Sequence, residues 1–105
     1  MTNTVAIDII KNTVQSLLPG AKILLFGSMA RGDFNSNSDF DILIITKNEF
    51  GEKEKISRTG EIRKNLIKLL RAPFDVLMNS EQEVAYKKEL PGHIVRWALK
   101  EGVML

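Results

Sequence analysis

Three aspartates, Asp39, Asp41 and Asp75, have the type and spacing to do chemistry. Asp39 and Asp41 open one apolar run, and positions i and i+2 of a strand point to the same face. Asp75 opens another such run, just after Pro73. Clustered carboxylates repel one another unless cations are present. Oxygen-only ligands of this kind suit Mg²⁺ or Mn²⁺. Two such ions side by side clamp the attacking and leaving oxygens of a phosphoryl displacement. Gly27-Ser28 supplies the complementary half. The glycine lets a triphosphate approach the backbone closely. Ser28 can cap a following helical turn, and helix N-termini bind anions. Arg31, one turn later, can neutralise phosphate charge, and Gly32 lets the chain turn away.

Each feature alone has a plainer explanation. Gly-Ser after a strand is usually a turn, and Asp-x-Asp is usually a solvated edge or an Asx-turn. The combination is different. Gly-Ser-x-x-Arg-Gly, then Ser38-Asp39-x-Asp41 with ten residues between Ser28 and Asp39, fixes seven positions. At ordinary residue usage its chance occurrence in a chain this short is below about one in a million.

The elements that must position these residues follow from periodicity. Thr4 to Leu18 carries Ala6, Ile7, Ile10, Val14, Leu17 and Leu18 at helical spacing and stops at Pro19-Gly20. Ile23 to Phe26 reads as a buried strand, residues 29 to 38 as a loop with one helical turn, and Phe40 to Thr46 as a second strand. Glu52 to Arg71 reads as a long amphipathic helix, with Ile56, Ile62, Leu66, Ile67 and Leu70 on its buried side. Gly60 inside it costs about 1 kcal/mol of propensity. A third strand runs from Phe74 to Met78. Ser80 to Glu83 is a capping box that starts a helix. A last helix covers Ile94 to Lys100, and Val103 to Leu105 can add an edge strand.

The fold class is therefore α/β, with a small mixed sheet of three to four strands packed by helices. The helical crossover makes strands two and three parallel, and the short link between strands one and two permits an antiparallel pair. In that arrangement Gly27-Ser28, Asp39, Asp41 and Asp75 fall on one edge of the sheet.

Bulk properties narrow the classes. A length of 105 residues suits one domain spanning 1–105. There is no cysteine, which excludes disulfides, thiolate metal sites and cysteine nucleophiles. The net charge of +2 gives little reason to expect direct nucleic-acid binding. The first ten residues do not read as a signal peptide and no apolar run reaches the length of a membrane span, so a cytoplasmic protein without membrane attachment is expected.

Gly27-Ser28-Met29-Ala30-Arg31-Gly32 through Ser38-Asp39-Phe40-Asp41-Ile42-Leu43, followed by Phe74-Asp75-Val76, resembles the DNA polymerase β-like nucleotidyltransferase superfamily. More narrowly it is similar to the minimal nucleotidyltransferases of bacteria and archaea, over nearly the whole chain. The resemblance implies that Asp39 and Asp41 bind both metal ions. It implies that Asp75 binds the catalytic ion and helps activate the nucleophile, and that the Gly27-Ser28 loop holds the triphosphate. The candidate catalytic and metal-binding residues are thus Asp39, Asp41 and Asp75. The candidate nucleotide-binding residues are Gly27, Ser28, Arg31 and Ser38, with two Mg²⁺ ions as cofactors and ATP as donor.

Three functions compete. The first is transfer of a nucleoside monophosphate to a hydroxyl, with the acceptor on a partner HEPN-domain toxin that this chain would neutralise. The second is neutralisation by binding alone, for which three converging carboxylates would be unnecessary. The third is small-molecule modification, as in the aminoglycoside nucleotidyltransferases, which need a further domain for the acceptor. A homo-oligomer stays open. The other conspicuous residues have blander readings. His93 is a surface or capping residue, Trp97 is core or partner-facing, and Tyr86 is helix surface. Arg58, Lys64, Lys68 and Arg71 form a solvated face.

Overall fold

The computed structural model describes residues 3–27 and 39–105. In α1, Asn3–Leu17, the residues Ala6, Ile10 and Val14 recur every fourth position and are buried, with Leu18 just beyond. Pro19 ends the helix, and Gly20 at φ 83° turns the chain into β1, Lys22–Phe26. Strand β2, Phe40–Thr46, pairs antiparallel with β1, Phe26 lying opposite Asp41. Helix α2, Glu52–Leu70, then crosses to β3, Phe74–Ser80, which pairs parallel with β2. Helices α3, Glu81–Lys87, and α4, Ile94–Glu101, precede β4, Val103–Met104, which adds to the free side of β1. The sheet order is β3-β2-β1-β4. This is the mixed α/β arrangement expected from the sequence, edge strand included.

Both faces of the sheet are covered, so its strands are apolar throughout instead of alternating. Ile23, Leu25, Phe40, Ile42, Ile44, Phe74 and Met78 pack with α1 and α2. Leu24, Phe26, Leu43 and Ile45 pack with Val95 and Ala98 of α4.

Two expectations are corrected. Ile56 is 67% exposed instead of sharing the buried side of α2. Six residues separate it from Ile62, a rotation of about 240°, which leaves it off the Ile62-Leu66-Leu70 stripe. Strand β3 runs two residues further than Met78, because β2 continues to pair with it through Thr46 opposite Ser80. The capping box is present. Ser80 Oγ accepts from Glu83 N at 3.0 Å, and Glu83 Oε1 accepts from Ser80 N at 2.9 Å. Glu83 also pairs with Lys55 of α2 at 2.8 Å, tying the two helices together. Burial alone would push the Glu83 carboxyl up, but the bonds from Lys55 and Ser80 N and the charges of Lys55 and Lys87 outweigh it and leave it below its ordinary value. His93 caps α4, its Nδ1 accepting from Val95 N at 3.1 Å.

Candidate active site

Asp41 is the centre of the carboxylate edge because its strand is central. Phe26 of β1 lies opposite it on one side and Asp75 of β3 on the other. Register partners leave a sheet on the same face. The two aspartates and Phe26 therefore all point toward the face that α4 covers further along. On the opposite face Phe40 and Phe74, the preceding residues of the same two strands, stack with centroids 4.7 Å apart and planes 7° from parallel. Phe40 N donates to Pro73 O at 3.0 Å, and Arg63 of α2 donates from Nε to Phe74 O at 2.8 Å. The stack and these two bonds fix the starts of β2 and β3 against each other. Sequence reasoning missed Arg63 and the stack. A signal for the stack was present in the repeated Phe-Asp dipeptide that opens both strands.

The Asp41 carboxyl titrates at about 6, well above its ordinary 3.8. Burial is the largest cause, followed by the negative charge of Asp75, a side-chain hydrogen bond with Asp75, and the charge of Asp39. Neighbouring carboxylates repel one another when both are charged, so Asp41 keeps its proton to a higher pH than an isolated aspartate. Asp39 is exposed just before β2 and acts on Asp41 only through its charge. The expected trio is thus gathered as a contact pair with a third charge nearby. Among the described residues no group of three or more His, Cys, Asp or Glu side chains forms a ready metal cage.

Gly27 ends β1 at φ 75°, a conformation that favours glycine. A Cβ built there would collide with Asp41 Oδ2 and lie 3.3 Å from Asp41 Cγ. The missing side chain is therefore what lets the Asp41 carboxylate lie against the turn. Ser28, Arg31 and Ser38 lie outside the described residues, as does the expected loop with its helical turn.

The donor set at this edge is made of carboxylate oxygens. Its oxygens are hard ligands at a solvent-reached edge, where the raised Asp41 carboxyl marks concentrated negative charge. These residues fit Mg²⁺ or Mn²⁺.

The nucleotidyltransferase domain model matches residues 7–103, and the chain belongs to that family. One relative, from Methanocaldococcus jannaschii, is named "Putative protein adenylyltransferase". It is 34% identical over 86 residues, covering 80% of this chain and 76% of the relative. Solved structures share the fold. A toxin–antitoxin with AMP-PNP superposes with TM-score 0.67 at 18% identity, over 98% of this chain and 72% of that one. A tri-AMPylated Shewanella oneidensis HEPN toxin in complex with its MNT antitoxin gives 0.63 at 14% identity, over 98% and 71%. Among the described residues no helix is long and apolar enough to cross a membrane.

Proposed function

We propose that this nucleotidyltransferase is metal-dependent and transfers AMP from ATP to a hydroxyl on a partner protein, a HEPN-type toxin that it thereby neutralises. The observation that carries the reading is the Asp41–Asp75 contact pair lying against Gly27 at one sheet edge. A carboxylate pair of this kind is costly to keep unless its charge is used. The name of the M. jannaschii relative and the toxin–antitoxin complexes of the same fold support protein modification.

Asp39, Asp41 and Asp75 would hold the divalent ions, which supply charge neutralisation at the phosphates. Gly27, lacking a side chain, would let the triphosphate approach its backbone, and Ser28, Arg31 and Ser38 are the residues assigned to its phosphates. The acceptor O–H would pass its proton to the Asp75 carboxylate. The oxygen forms its bond to the α-phosphorus as the bond to pyrophosphate breaks. Catalysis is then positioning plus charge compensation. An AMP on the toxin would add bulk and negative charge.

The test is to incubate a HEPN toxin, which the family resemblance implies is a ribonuclease, with this protein, α-labelled ATP and Mg²⁺, separate the two proteins, and measure the toxin's mass and ribonuclease activity. Added AMP and persistent inhibition are expected. Unchanged mass with full recovery on separation refutes modification and leaves neutralisation by binding.

A further inference from the structure

Helix α4 carries a second set of residues on the carboxylate face of the sheet. His93, Arg96, Trp97 and Lys100 are spaced i, i+3, i+4 and i+7, which places them along one flank of the helix. Val95 and Ala98 are buried in the sheet instead. With Gly92, the four flank residues line a cavity of about 280 Å³, a size suited to a nucleobase more than to a drug-sized ligand. Trp97 meets Phe26 edge to face, with centroids 5.9 Å apart at 88°, yet remains 42% exposed. Phe26 is the register partner of Asp41 and the residue before Gly27. The indole is therefore braced one side chain away from the carboxylate edge. Among the described residues neither Arg96 nor Lys100 forms an ion pair. The cation that does stack on a ring is Arg58, on Phe50.

A half-exposed indole in a cavity lined by cations that are unpaired among the described residues, and braced on the register partner of Asp41, matches how proteins hold nucleotides. Bases stack on aromatic faces with little regard to sequence, and cations take the phosphate charge. We propose that this cavity is the nucleobase subsite of the donor, with the base stacked on Trp97 and the cations Arg96 and Lys100 on the same flank offsetting the charge of the donor's phosphates. The assignment rests on the nucleotidyl-transfer reading and adds to it the residue that grips the base.

Trp97 is the chain's single tryptophan, so intrinsic emission reports this position alone. The full chain is titrated with ATP and Mg²⁺, with adenosine, and with inorganic triphosphate. ATP and adenosine should quench the emission, and triphosphate should not. By calorimetry, Trp97→Ala should weaken ATP binding about tenfold while Trp97→Phe retains most of it. ATP binding to wild type without any emission change, together with wild-type affinity in Trp97→Ala, overturns the subsite and leaves the transferase reading intact. If Trp97→Ala does not fold by circular dichroism, the wild-type emission and Trp97→Phe affinity decide. No ATP binding to wild type, with or without Mg²⁺, overturns both.

Discussion

Replacing Asp41 by asparagine should make the metal-free protein more stable while destroying its activity. The folded carboxyl titrates near 6 against 3.8 in a model peptide, so the folded chain holds a proton that the unfolded chain has lost across that interval. Stability of the metal-free protein then falls as pH rises from about 4 to about 6, and the full penalty persists above that window. The gap corresponds to about 3 kcal/mol at 1.36 kcal/mol per pH unit. Solvent reaches the carboxylate, and screening cuts this to about 1–2 kcal/mol. The asparagine side chain would be isosteric and uncharged and could still donate to Asp75. Urea denaturation at pH 4, 5, 6 and 7.5, with chelator and then with Mg²⁺, measures the effect. In Asp41→Asn the stability at pH 7.5 should rise by about 1–2 kcal/mol, several degrees in Tm for a chain of this size. The loss between pH 4 and 6 should flatten. Mg²⁺ should stabilise the wild type and do little for the variant, and nucleotidyl transfer should vanish. A variant less stable than wild type at pH 7.5 without metal, with the same pH profile, would refute the idea that Asp41 is held against electrostatic cost.

Other substitutions separate site from scaffold. Gly27→Ala should cost about 1–3 kcal/mol in a denaturation curve and abolish transfer, since it combines a strained φ with a collision at the Asp41 carboxylate. Gly60→Ala, with nothing within 4 Å of the new methyl group, should stabilise by about 0.5–1 kcal/mol and leave the transfer rate unchanged. Glu83→Ala removes half of the capping box and the Lys55 pair, and should cost about 1 kcal/mol at pH 7. Because the Glu83 carboxyl lies below its ordinary 4.5, that contribution is present at neutral pH and lost as pH falls through the lowered value. The variant and wild type should therefore converge in acid melts. Ser28→Ala and Arg31→Ala should each weaken ATP binding in calorimetry more than they lower Tm, and unchanged affinity in both would make that loop a simple turn.

The candidate chemistry could be placed from the residues. Gly27, Asp39, Asp41 and Asp75 stand out because nucleotidyl transfer would restrict residue type at such positions, and the strands because both their faces are apolar. Capping by Ser80 with Glu83, and by His93, was equally readable, since caps are satisfied within three residues of themselves. Tertiary structure decided what depends on partners distant in sequence. A two-sided apolar strand does not say which of Ile23 and Leu24 faces which helix, since both neighbours look alike from within the strand. The exposure of Ile56 could have been read from its spacing to Ile62, but the last residues of β3 follow from how far β2 extends. The raised Asp41 carboxyl belongs to the β2–β3 register, across 34 positions of chain from 41 to 75, because repulsion from Asp75 depends on a distance that only folding sets. Trp97 is the clearest case. Its sequence neighbours leave it core or partner-facing, and only the crossing of α4 over the sheet brings it against Phe26, beside the aspartates.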